Sequence, residues 1–498
     1  MHLHRLYFMT LTAPPPSDRT DGTPTDPGRS VITDTGWSRR TWALLVVLCG
    51  ALFLDALDIS MVGVALPSIG NDLHLAPSSL QWIVSGYVLG YGGLLLLGGR
   101  AADLLGRRQV FLYAVALFGV ASVVSAFLSD DTTLIALRFV KGIAAGFTVP
   151  AGMSIITTTF AEGGARNRAL SIYTVCGASG FSMGLVFGGL LTQIGWRATF
   201  LLPGPLALLI LAAGIRLIPR SALGRVRLAE LDLAGALTST GALLLLVFTV
   251  VQAPHRGWGS PATVIQLALV VLLAVAFVLI EQRHPQPLVR LGILRSAHVV
   301  HANLVGAIMF GGYAAFQFLV TLYLQNTLGW TPLSMALGFL PAGILVALSA
   351  IKMDRVLERF RTVVLIGVGL TAFVLGYALF LRAAPGQSYW SFLLPTIVLL
   401  GIGFALCFPS INSQATSGVV NDEQGLASGL VNTSVQIGGA VMMAVVTAII
   451  GGGSSAPGAA IPSMTTAIAV IVGLSSVGLV GTIVLARRRT LPQLAPAS

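Results

Sequence analysis

A chain of 498 residues that is 55% hydrophobic and only 9% charged, with a mean hydropathy of +0.87, carries more apolar surface than a soluble core can hide. Lipid is therefore the solvent for most of it, which excludes a soluble enzyme or a soluble basic protein. The formal charge of +11 sits in short loops between apolar runs, the positive-inside pattern, and needs no nucleic acid to explain it.

Residues 1–36, with Pro14-Pro15-Pro16 and a run of Ser, Thr, Asp and Gly, read as a disordered cytoplasmic tail without a signal peptide. Arg39 and Arg40 then precede the first apolar run and place the N-terminus in the cytoplasm. Runs long enough to cross a bilayer follow at 41–64, 80–99, 109–128, 133–155, 168–191, 199–218 and 233–252. Seven more lie at 262–281, 299–324, 334–351, 362–382, 391–414, 427–450 and 464–486, about fourteen in all. An even count returns the C-terminal Arg487-Arg488-Arg489 to the cytoplasm, at a plasma (inner) membrane. The loops agree. Arg100, Arg107 and Arg108, then Arg166 and Arg168, then Lys352, Arg355, Arg359 and Arg361 fall on one side; Arg197, Arg256 and Arg382 fall on the other. Cys49, Cys176 and Cys407 lie far apart inside apolar runs, so neither a disulfide framework nor a metal site is implied.

The first run contains Asp55 and Asp58, three residues apart and so neighbours on one helix surface. Ionised side chains near a bilayer centre are costly and usually face a protein interior or a water path. The fourth run offers Arg138 and Lys141, also three apart. Counting depth at about 1.5 Å per residue from the span midpoints pairs Asp58 with Arg138 and Asp55 with Lys141. Such a cluster either locks the bundle as a closed salt-bridge network or lets a carboxylate exchange a proton as the conformation changes.

Between the second and third runs lies Gly98-Gly99-Arg100-Ala101-Ala102-Asp103-Leu104-Leu105-Gly106-Arg107-Arg108, a tight basic turn. It resembles the signature loop of the major facilitator superfamily at Gly99, Asp103, Gly106, Arg107 and Arg108, with Leu104 where a basic residue is often found. Arg138-Phe139-Val140-Lys141-Gly142 is similar to the fourth-helix arginine motif of that superfamily, with Lys141 where glutamine is more usual. Gly180, Gly184, Gly188 and Gly189 stand at the spacing of its glycine-rich antiporter motif, although Leu185 takes the place of the proline. Leu57-Asp58-Ile59-Ser60 ending at Ala65-Leu66-Pro67, Gln81-Trp82 with Tyr87, Gly195-Trp196-Arg197, and Gly425-Leu426-Ala427-Ser428-Gly429 with Asn432 resemble the fourteen-helix drug:proton antiporter branch.

That resemblance implies an all-α integral membrane protein with two six-helix bundles and an inserted helix pair. The bundles would cover 37–220 and 297–489, with the pair and its linkers at 221–296 and a short cytoplasmic tail at 490–498. It further implies a monomeric multidrug or antibiotic efflux transporter that works by alternating access on small amphipathic molecules and protons. The proton gradient drives it, with no cofactor and no metal. Asp58 is then the coupling carboxylate and Arg138 its partner, while Asp55 and Lys141 are additions to the pattern. Gly99, Asp103, Gly106, Arg107 and Arg108 form a conformational gate loop, and the fifth-run glycines pack helices closely. Tyr87, Tyr91, Tyr313, Phe316 and Gln317 could line a pocket for aromatic or cationic compounds. Asn432 and Gln436 are expected to bond between helices. A proton-coupled importer on the same fold remains an alternative. A membrane-embedded enzyme would need a His/Asp or Ser/His constellation that the sequence lacks, and a passive channel would ignore the proton gradient.

Overall fold

The computed structural model describes residues 37–488 apart from 162–163, 221–231, 286, 351, 384–386, 418, 420–423, 452–460 and 462. The two predicted tails and most of the linker before the inserted pair therefore lie outside the described residues, as does the Asp103 side chain.

Among the described residues, fourteen helices are long and apolar enough to cross a membrane. The first half holds α1 (Arg39–Leu73), α2 (Pro77–Leu105), α3 (Arg107–Ser125), α4 (Asp131–Thr159) and α5 (Gly164–Ile194). Its sixth span is built from α6 (Arg197–Leu201) and α7 (Pro203–Leu217). The inserted pair is α8 (Leu233–Arg256) and α9 (Pro261–Arg283). The second half holds α10 (Ala297–Leu322), α11 (Pro332–Ala350), the short α12 (Met353–Arg359), α13 (Thr362–Phe380), α14 (Leu394–Thr416), α15 (Gln424–Ile450) and α16 (Met464–Arg488). Short loops make successive spans alternate in direction, so α1 starts at one face of the bundle (face A) and ends at the other (face B).

Local chemistry sets the helix ends. The Ser38 hydroxyl accepts from the Thr41 N–H at the start of α1, and the Asp130 carboxylate accepts from the Thr133 N–H at the start of α4. That backbone donor holds Asp130 below the usual carboxylate range. α1 runs through Pro67 and stops at His74, whose φ of 53° closes the helix with a bond to the Gly70 carbonyl. Gly106, at φ 98°, is the hinge of the basic turn from α2 to α3, a conformation that a side chain would strain. Beyond it Arg108 donates to the Ile215 carbonyl at 2.8 Å and ties the turn to the end of α7.

Two large cores decide the shape. One runs across both halves at face B, where Val62, Leu66, Ile69 and Leu80 join Phe316, Tyr323, Met335 and Phe339. There Gln325 donates to the Val64 carbonyl at 2.9 Å. The other belongs to the first half toward face A, with Leu44, Leu48, Tyr87, Leu95, Phe111 and Phe160. From the second half the partly buried Leu430 packs against it, and Gly429 beside it approaches Leu96. The halves thus share a core at face B and keep separate cores at face A. α8 lies along their lateral seam, its Val247 buried among Val88 and Leu89 of α2 and Ala440 and Ala444 of α15. The Thr240 hydroxyl donates to the Gly93 carbonyl at 3.0 Å.

Candidate functional site

The site begins with close backbone approach. A β-carbon on Gly142 of α4 would lie 2.1 Å from the Tyr87 carbonyl of α2, so only glycine lets those helices touch. On the other flank of α1, β-carbons on Gly180 and Gly184 of α5 would sit 2.4 Å from the Phe53 carbonyl and 2.0 Å from the Ser60 hydroxyl. Gly188 meets Met61 in the same way, at 2.8 Å. α1 is therefore pinned by α5 on one side and presents its acids to α2 and α4 on the other. Gly189 behaves differently. Its β-carbon would fall 2.8 Å from the Leu333 Cα of α11, so it packs the two halves together at face B rather than packing one bundle.

Asp58 is fully buried, and both of its oxygens are taken. Arg138 Nη1 donates to Oδ2 at 2.5 Å and Lys141 Nζ to Oδ1 at 2.5 Å. Arg138 Nε also donates to the Ile83 carbonyl at 3.0 Å, and its guanidinium lies over the Tyr87 ring, 4.5 Å from the centroid. Lys141 sits 4.8 Å from the Phe118 centroid and 5.6 Å from that of Phe200. Asp55, 4% exposed, instead accepts a short hydrogen bond from the Tyr87 hydroxyl. It lines a small cavity with Ala51, Leu54, Val115, Phe118, Thr148 and Ala207.

This corrects the pairing expected from depth. Lys141 binds Asp58, and Asp55 is bound by a tyrosine. Three residues along a helix fall about 60° short of a full turn, so Asp55 and Asp58 point to different neighbours. Depth counted along an axis carries no information about that rotation.

The expected pocket residues also part company. Tyr87 and Tyr91 are buried in the first half, their rings 6.3 Å apart edge to face. Phe316 has no exposure and is packed against Tyr377 and Phe380, with centroids 5.0 and 5.1 Å away, inside the second half. These three are core residues here rather than pocket lining. Tyr313 does reach the joint between halves, 6.2 Å from Phe181 of α5 and 5.5 Å from Phe404 of α14. Gln317 is partly buried beside it. Phe404 and Phe408 stack at 5.5 Å and extend this aromatic wall, and sequence reasoning missed Phe181, Phe404 and Phe408. A phenylalanine in an apolar helix carries no sign of which face it takes. Asn432 bonds within its own helix, Nδ2 donating to the Ser428 carbonyl, and among the described residues not to a neighbouring helix as expected. Among the described residues, no group of three or more His, Cys, Asp or Glu could hold a metal ion.

Fourteen apolar helices in two halves, the first of which buries a charge cluster, make this a multi-pass membrane protein, and the family and relatives that it matches make it a transporter rather than an enzyme. The sequence profile of the Major Facilitator Superfamily matches residues 48–443, and the chain belongs to that family. It is 38% identical to the puromycin resistance protein pur8 of Streptomyces alboniger, over 84% of this chain and 83% of that one. It is 36% identical to the cephamycin export protein CmcT of Amycolatopsis lactamdurans, over 86% of this chain and 89% of the relative. Among solved structures, the POT family transporter PepTSo superposes with a TM-score of 0.65 at 14% identity, covering 91% of this chain and 98% of its own. That likeness concerns the fold alone.

Proposed function

We propose that this protein exports small amphipathic, antibiotic-like compounds across the plasma membrane in exchange for protons, as a monomer working by alternating access. The observation that carries the reading is the buried four-charge cluster between α1, α2 and α4. Relatives named for puromycin resistance and cephamycin export support the direction and the class of cargo. The aromatic wall of Phe181, Tyr313, Phe404 and Phe408 at the joint offers flat apolar surface to such compounds.

The basic turn at face A, with Arg107 and Arg108, makes that face cytoplasmic under the positive-inside rule. Both termini then lie in the cytoplasm, and a protein whose halves share a core at face B and keep separate cores at face A is poised to receive cargo from inside. The loop of Gly99, Asp103, Gly106, Arg107 and Arg108 gates that side. A potential of 100 mV supplies about 2.3 kcal/mol per charge moved, so the gradient replaces any cofactor.

Everted vesicles carrying a preformed pH gradient test the reading, with puromycin as the first compound and a panel of amphipathic antibiotics after it. The expected result is compound-induced collapse of the gradient together with compound uptake into the vesicles. Flux that persists after an ionophore abolishes the gradient would make the protein a passive channel. Movement in the opposite sense would make it an importer.

A further inference from the structure

Both predicted acids are buried in one cluster, yet they are bound in opposite ways, and the difference assigns them different work. We infer that Asp55, not Asp58, is the carboxyl that gains and loses a proton in this cluster, while Asp58 stays ionised as the fixed counter-ion of Arg138 and Lys141. The use of that proton for transport rests on the exchange reading above; the site of protonation does not.

The geometry carries the assignment. Each oxygen of Asp58 accepts from a different cation at 2.5 Å. A proton on Asp58 would break one of those bonds and leave two buried cations facing one neutral acid, an arrangement that costs far more than it returns. Among the described residues Asp55 has no ion pair of its own. Its carboxyl is held by a neutral phenol, so a proton can bind there while both ion pairs of Asp58 stay intact. Charge balance agrees. Two aspartates, one arginine and one lysine have no net charge when all are ionised, and one net positive charge when Asp55 is protonated. Lys141 is what frees Asp55 for this. With a second cation clamping Asp58, the neutrality of the cluster depends on the protonation state of the other acid.

The surroundings give the proton a place. The cavity beside Asp55 has room for about one water molecule and holds one further polar group, Thr148. The titratable and charged groups facing Asp55 are Asp58 on α1, Tyr87 and Tyr91 on α2, Arg138 and Lys141 on α4, and Tyr173 on α5. α3 and α7 contribute only Val115, Phe118 and Ala207 to the cavity. Tyr87 is the positioning residue. Its hydroxyl binds Asp55 and its ring face carries Arg138, so a shift of the guanidinium during rocking of the halves is felt at Asp55 through one rigid side chain. The proton arrives from water as hydronium, binds the carboxylate, and returns to water on release; no other bond is made or broken.

The test is an infrared pH titration of the full-length protein in lipid nanodiscs, reading the carbonyl band of a protonated buried carboxylic acid. No transported compound is needed. With Glu281, another buried carboxyl, replaced by Gln to remove its own band, the protein shows a band that disappears as the pH is raised, and adding Asp55→Asn removes it. The asparagine oxygen still accepts from Tyr87, so this variant keeps its fold. Tyr87→Phe keeps the band and displaces its midpoint, whereas Tyr91→Phe leaves the midpoint in place. A titrating band that survives Asp55→Asn unchanged in the Glu281→Gln protein, or no titrating buried carboxyl in that protein, overturns the assignment. A wild type that titrates through Asp55 but moves no protons with puromycin or the antibiotic panel supports the assignment and counts against exchange alone.

Discussion

The two halves place the same pair of helix positions at their centres and fill them with opposite chemistry. Asp55 and Asp58 lie on α1 as far from its start as Tyr313 and Phe316 lie from the start of α10. In the first half the pair meets Arg138, Lys141 and Tyr87. In the second it meets Phe404, Tyr377 and Phe380. Close packing is common to both. Gly180 and Gly184 bring α5 onto α1, and a β-carbon on Gly438 of α15 would lie 2.1 Å from the Ala307 carbonyl of α10. One architecture therefore supports a half that binds charge and a half that packs rings. Buried ion pairs are weak stabilisers relative to apolar packing, so the second half shows what the first gives up to hold its charges.

The largest break of this comparison is Asp58→Leu, which leaves Arg138 and Lys141 buried without the carboxylate that pairs with both. Loss of about 3–5 kcal/mol is expected, with low membrane levels and no transport. Adding Arg138→Met and Lys141→Met to a protein already carrying Asp58→Leu and Asp55→Leu copies the chemistry of the second half. Thermal unfolding in detergent should then return to wild type or above it, with transport still absent. A quadruple variant that stays unstable would mean that the charges hold the bundle together.

A middle-sized effect is expected from Phe316→Ala in the second half. Removing a fully buried ring costs about 3 kcal/mol, but each folded molecule should transport at a near-normal rate, because the ring faces the core and not the joint. Transport per molecule that falls with stability intact would place Phe316 on the substrate path. The smallest effect belongs to Tyr377→Phe. The Tyr377 hydroxyl is buried without a hydrogen-bond partner among the described residues, so its removal should change the unfolding temperature little or raise it. A marked loss would reveal a partner for that hydroxyl in another state of the cycle.

Much of this molecule can be read from residue order, because lipid imposes a simple rule. A helix must satisfy its own backbone across the bilayer, so every apolar run of sufficient length becomes one. The span from 233 to 252, for example, became α8 at Leu233–Arg256. The membership of the charge cluster was legible for a similar reason: four ionisable side chains inside apolar runs must find one another. Tertiary structure alone decided which acid meets which base. That choice depends on helix rotation and on where glycines such as Gly142 let α2 and α4 touch, and neither is encoded in spacing along one helix. It also decided that Phe316 faces a core while Phe181 and Phe404 meet Tyr313 at the joint and Phe408 stacks on Phe404, since an aromatic ring is equally at home against lipid, protein or cargo. Residue order brought Asp55 and Asp58 into one helix as apparent equals; the fold gave one of them two cations and the other a tyrosine.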